Sequence, residues 1–150
     1  MKALQFSITI SAPKETVWAT LWQDASFRIW ANFIDEGTYM QGVLEEGNEI
    51  AFLSAVNGYG VTSLVEKLRK NELLVLRHSA DTKESGRRKR KKEWAGGLER
   101  YTLTENAGLT TLLVELDTPK ELETIIRQQF PPALACVKKL AEQAETAAVL

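Results

Sequence analysis

Residues 118–150 read TPKELETIIRQQFPPALACVKKLAEQAETAAVL, and this stretch decides the architecture. Leu122, Ile126, Phe130, Ala133, Leu134, Val137, Leu140, Ala141 and Ala144 recur at three- and four-residue steps, the period of one helix face. Lys120, Glu123, Gln128, Lys138, Lys139 and Glu142 fall between them and form the wet side. Thr118-Pro119 is a start signal, a capping hydroxyl followed by proline at the first helical position, and Glu121 completes a capping box. Pro131-Pro132 interrupts the pattern. An interior proline removes a backbone donor and clashes with the carbonyl four residues back, at about 3 kcal/mol, so a kink or restart is expected near Phe130. A long amphipathic helix needs a broad apolar partner, and what precedes it reads as strand. The partner is expected to be a sheet.

Working back from that helix, Leu109 to Leu116 and Trp94 to Leu103 read as a hairpin about the turn Glu105-Asn106-Ala107-Gly108. Leu73 to Ser79 and Val61 to Lys70 are strands joined at Lys70-Asn71-Glu72. Asn57-Gly58-Tyr59-Gly60 is the strongest hairpin signal, because both central residues tolerate positive φ. Glu49 to Leu53 and Thr38 to Gln41 complete the meander. At the start, Leu4, Phe6, Ile8 and Ile10 alternate with polar residues as a half-buried strand. Pro13 then opens a short helix carrying Val17, Trp18, Leu21 and Trp22, and Asp24 a second one carrying Phe27 and Trp30. The order predicts an α+β helix-grip fold: a curved antiparallel sheet of about six to seven strands wrapped around the long C-terminal helix, with two short helices after the first strand. Neither a repeat nor a domain boundary is visible, so 1–150 reads as one domain.

Composition bounds the partners. An apolar fraction of 44% and a charged fraction of 26% suit a globular chain with a real core. A net charge of -1 argues against a nucleic-acid-binding domain, which needs a strongly basic surface. The run Arg87-Arg88-Lys89-Arg90-Lys91-Lys92 carries six positive charges, which leaves -7 for the remainder. It can steer an acidic protein or an anionic surface, or simply keep a solvated hairpin end from aggregating. Cys136 is alone and reads as a small packed side chain. With no internal disulfide, no charged-then-apolar leader and no apolar run of about 18 residues, a cytoplasmic location without a transmembrane segment is expected.

Several pieces, in order along the chain, look familiar. They are Ile10-Ser11-Ala12-Pro13-Lys14-Glu15-Thr16-Val17-Trp18, Phe27-Arg28-Ile29-Trp30, Glu99-Arg100-Tyr101-Thr102-Leu103, Gly108-Leu109-Thr110-Thr111-Leu112, and Ala133-Leu134 with Val137-Lys138-Lys139-Leu140-Ala141-Glu142. Together the chain resembles the START and Bet v 1-like (SRPBCC) superfamily, in the branch related to activators of heat-shock protein 90 ATPase. The resemblance implies the helix-grip fold and, in many relatives, an apolar pocket for a lipid, polyketide or other hydrophobic molecule. It brings no shared catalytic motif. The basic run and the Pro131-Pro132 pair depart from the branch.

Metal chemistry lacks its ligands, since His78 is the single histidine and has no Cys or His partner at ligand spacing. Phosphate loops of the common types are absent, Gly58-Tyr59-Gly60 being a turn. Local sequence supports no nucleophilic triad, and no catalytic residue or cofactor is assigned. His78 shares a strand face with Leu74 and Leu76, which turns it inward as a structural or a pocket histidine. The expected function is binding of a small hydrophobic molecule between sheet and long helix. Its walls are expected from Trp30, Phe33, Tyr39, Phe52, Trp94, Tyr101, Phe130, Leu134 and Val137, with Tyr39, Trp94 and Tyr101 as directional polar groups and His78 as a further candidate ligand-binding residue. Three alternatives stay open: a co-chaperone-like interaction domain, a cyclase- or hydrolase-like enzyme using His78 and Tyr101, and a polyanion- or membrane-surface binder acting through Arg87 to Lys92. The sequence leaves the oligomeric state unassigned.

Overall fold

A computed structural model describes residues 1–83 and 94–149; the basic run 87–92 lies outside the described residues. Seven strands form one antiparallel sheet: β1 (Lys2–Ile10), β2 (Thr38–Gln41), β3 (Glu49–Ser54), β4 (Tyr59–Arg69), β5 (Leu73–Lys83), β6 (Leu98–Asn106) and β7 (Leu109–Thr118). Their spatial order is β1-β7-β6-β5-β4-β3-β2, so the meander runs inward from β2 and the first strand closes the far edge against β7. Helices α1 (Lys14–Trp22) and α2 (Asp24–Ala31) follow β1, and α3 (Glu123–Val149) closes the chain after one 3-10 turn at Lys120–Leu122. The α+β helix-grip architecture is thus the one the periodicity predicts.

Alternation decides which face of the curled sheet is apolar. Along β7, Thr110, Leu112, Val114, Leu116 and Thr118 are buried in turn, and in β1 Leu4 and Ile10 are buried with Phe6 and Ile8 packed against the same core. The core-facing stripe of α3 is Ile126, Phe130, Ala133, Leu134, Val137 and Ala141, each at most 6% exposed. Phe130 stacks on Phe6 with ring centroids 5.0 Å apart, which seats the helix on the β1 edge. Further along, α3 is tied to the chain's start. Glu142 accepts from the Ser11 backbone N–H and from Lys138 Nζ, Lys138 Nζ also donates to the Thr9 carbonyl, and Thr16 Oγ1 donates to Glu145.

Local expectations about α3 need correction. The helix runs unbroken through Pro131 and Pro132. The carbonyls that lose donors belong to Arg127 and Gln128, and these residues and both prolines are exposed, so water can take the freed acceptors. Thr118 does not cap a helix: it is the last residue of β7, opposite Lys2, and its buried Oγ1 has no hydrogen-bond partner among the described residues. Trp94 precedes β6 instead of opening it, because a turn at Trp94–Gly97, with Gly96 at φ +86°, occupies the expected start of that strand.

Candidate functional site

A cavity of about 170 Å³ opens between α2, the inner face of the sheet and the first turns of α3. On the helical side, Trp22 ends α1, Phe27, Trp30 and Ala31 come from α2, and Ile126 and Phe130 from α3. In α2 and α3 these positions recur at helical spacing, whereas α1 contributes only its last residue. Trp30 is locked in place by its indole N–H, which donates to the Leu21 carbonyl at 3.0 Å. Trp22 meets the Tyr101 ring edge-to-face at 4.8 Å and 82°, and Phe27 lies 5.8 Å from Phe52 of β3. Gly60 of β4 belongs to the wall for want of a side chain: a Cβ there would sit 1.7 Å from the Phe52 carbonyl oxygen.

The polar end of the cavity is built from three neighbouring strands. Leu74, Leu76 and His78 alternate inward along β5, while Glu99, Tyr101 and Leu103 do so along β6. His78 faces Ser63 of β4, and beyond that pair the register slips, with Ser79 as the extra residue and its hydroxyl donating to the Thr62 carbonyl. His78 is 2% exposed; its Nδ1 lies 2.7 Å from Ser63 Oγ and its Nε2 3.3 Å from Glu99 Oε1. That second contact lacks the alignment of a hydrogen bond. The other carboxylate oxygen, Oε2, accepts from the Tyr101 hydroxyl at 2.5 Å. Trp94 closes over the imidazole edge-to-face at 5.7 Å, held by its backbone N–H to Asp81 Oδ1 and by the Gly96 N–H to the His78 carbonyl.

This Ser63–His78–Glu99 series contains the residue types of a nucleophilic triad in an inverted placement. Ser63 is fully buried behind the imidazole and does not line the cavity, whereas the carboxylate does. Of the three, Glu99, with 19% of its side chain accessible, is the carboxylate that faces the cavity, and Ser63 lies behind the ring. Burial pushes the Glu99 carboxyl up, but the contacts with His78 and then Tyr101 outweigh it and hold the group below the ordinary carboxylate value. Burial, followed by the adjacent Glu99 charge, pushes the Tyr101 hydroxyl well above its ordinary value, so it stays a neutral donor.

The structure brings together Trp30, Phe52, His78, Trp94, Tyr101 and Phe130 in the cavity wall. Leu134 and Val137 are buried core residues further along α3 and do not reach it. Phe33 lies beyond the end of α2 and is 47% exposed. Tyr39 takes the opposite face of β2 from wall-lining Thr38, with the Arg28 guanidinium 5.2 Å above its ring. Glu99, Asp35, Trp22 and Phe27 are among the lining residues absent from the wall expected from the sequence. No metal-ligand group of three or more His, Cys, Asp or Glu side chains occurs among the described residues, and no described helix is long and apolar enough to cross a membrane.

No family model matches the sequence, and no curated protein matches it. Solved structures do. Protein MLL2253 from Mesorhizobium loti aligns with a TM-score of 0.72 at 15% identity, over 95% of this chain and 98% of that one. The Aha1 dimer from Colwellia psychrerythraea gives 0.72 at 19% identity, over 95% and 97%. The di-domain ARO/CYC StfQ from the steffimycin biosynthetic pathway gives 0.65 at 14% identity, over 95% of this chain and 46% of that one. At such identities the likeness is one of fold. The chain has the START/Bet v 1-like helix-grip fold, and the solved structures that share it include an Aha1 protein and an ARO/CYC protein.

Proposed function

We propose that the protein binds a small, mainly apolar molecule of single-ring size in the cavity between α2, the sheet and α3. The observation that carries this reading is the wall itself: aromatic side chains from both helical and sheet layers enclose about 170 Å³ with one polar cluster at its end. Volume narrows the ligand class. A dry cavity of about 150 Å³ accommodates benzene, whereas drug-sized ligands need roughly 300–1,000 Å³, which disfavours a lipid or a multi-ring polyketide in this conformation.

Binding is favoured over catalysis by the state of the polar cluster. A general base works best with a pKa near the working pH, and the contacts of Glu99 move it the other way. A carboxylate held anionic by its neighbours is suited to recognition.

Trp22, Trp30 and Trp94 all line the cavity, so intrinsic tryptophan fluorescence reports on its occupancy. Titration with benzyl alcohol is expected to give a saturable change. Ala31→Phe, which places a ring in the cavity from a wall position that is 3% exposed, is expected to abolish it. A wild-type protein with no saturable response to any single-ring probe, neutral or charged, overturns the reading.

A further inference from the structure

The described cavity wall carries two carboxylates and neither a Lys nor an Arg side chain. The carboxylates are Glu99 at the inner end and Asp35 near the end of α2. The basic wall side chain is His78, whose Nδ1 is taken up with Ser63 Oγ. Aromatic rings in the wall can add to that character, because the face of a ring is electron-rich. Trp22, Phe27, Trp30 and Tyr101 form a connected group of such rings, with Trp22 4.8 Å and Trp30 6.5 Å from Tyr101 and Phe27 5.3 Å from Trp30.

Glu99 also has acceptor capacity left. An ionised carboxylate offers about four lone-pair sites. Here Oε2 takes the Tyr101 hydroxyl, and among the described residues Oε1 has only the unaligned His78 contact. An anion entering this space would meet like charge and unpaired acceptors. A cation would meet a carboxylate backed by ring faces, the combination that gives cation–π attraction its greatest strength when water is excluded.

We infer that the ligand is a small organic cation, a protonated amine borne on a single ring, with its ammonium on Glu99 Oε1 and its ring among Trp22, Phe27 and Trp30. The inference rests on the proposed binding function and adds the chemical class of the ligand.

Three probes that share one ring and differ in charge test it: benzylammonium, benzyl alcohol and benzoate, each titrated at neutral pH by tryptophan fluorescence and by calorimetry. Benzylammonium is expected to bind roughly tenfold or more tighter than benzyl alcohol, and benzoate to give no saturable response. Glu99→Gln is expected to bring the cation and the alcohol to near parity. Tyr101→Phe, which keeps the carboxylate and frees Oε2, is expected to keep the cation preferred. The wild-type ranking stands even if Glu99→Gln does not fold. Equal or tighter binding of the alcohol, saturable binding of benzoate, or a preference that survives Glu99→Gln in folded protein overturns the inference while leaving the cavity a binding site. No response to any of the three overturns the binding reading itself.

Discussion

The Glu99 carboxylate bridges two strands' worth of polar groups: Oε1 lies 3.3 Å from His78 Nε2 on β5, and Oε2 accepts from the Tyr101 hydroxyl two residues along β6. A buried carboxyl without partners rises in pKa and sheds its charge. Here the partners prevail, and the charge is kept at the end of an apolar cavity.

The pH dependence of stability follows from that balance. A carboxyl whose folded pKa lies below its unfolded value binds fewer protons folded than unfolded, so stability rises with pH through that range. The contribution of Glu99 is complete above the ordinary value of 4.5 and is lost as pH falls through the folded value. Urea denaturation of wild type and Glu99→Gln across the acid range is expected to give a difference, wild type minus variant, that shrinks as pH falls. Each unit of pKa depression corresponds to about 1.4 kcal/mol of it. A difference that grows on acidification would mean that burial wins and the folded carboxyl is raised.

Gly60 lies against the β3 main chain in the cavity wall. Substitution by alanine puts the new Cβ 1.7 Å from the Phe52 oxygen and 2.8 Å from Leu53 Cα, and backbone on both counts cannot swing aside. Gly60→Ala is expected to cost about 3 kcal/mol or more, read as a fall in the urea midpoint, by forcing β3 and β4 apart. Because Phe52 lines the cavity, benzyl alcohol affinity is expected to fall with it.

Leu134 and Phe130 separate core from wall on one helix. Leu134 is 2% exposed, one turn beyond Phe130 and not part of the cavity lining, so Leu134→Ala is expected to lose about 2–5 kcal/mol of stability with little change in benzyl alcohol binding. Phe130 both stacks on Phe6 and lines the cavity. Phe130→Ala is expected to cost about 3–5 kcal/mol and to enlarge the space enough for a two-ring probe such as 2-naphthol. If both variants change affinity alike, the cavity extends further along α3 than its lining indicates.

Much of this was legible in the chain, and the failures have physical causes. The apolar stripe of α3 is strong enough to survive two prolines, since tertiary packing of Ile126 to Ala141 outweighs bonds lost on the wet face. Inward placement of His78 was readable because the register slip of β5 falls just after it. Glu99 was readable by the same alternation, two residues before Tyr101, but a carboxylate on an apolar face looks like an exception until its partners on β5 are known. Those partners are twenty-one residues away in sequence for His78 (99 - 78 = 21) and depend on strand pairing. Tyr39 failed by one position in the pleat, where Thr38 takes the inward site. Trp94 reached the site through a glycine turn that no period-two pattern predicts.

Phe33 and Tyr39 provide the sharpest check on where a ring binds. Phe33 is 47% exposed after α2, so Phe33→Ser is expected to change stability by no more than about 0.5 kcal/mol and to leave the benzyl alcohol titration unaltered. Tyr39 sits under the Arg28 guanidinium on the far face of β2, and Tyr39→Ala is expected to cost about 1 kcal/mol, again with binding intact. Phe27 is 2% exposed, lines the cavity and touches Trp22, Trp30 and Phe52, so Phe27→Ala is expected to weaken benzyl alcohol severalfold. The three titrations, with circular dichroism to confirm folding, divide surface from wall. Loss of binding in Phe33→Ser but not in Phe27→Ala would move the binding site out of the cavity and onto the exposed end of α2, where only the outer rings could hold a ligand.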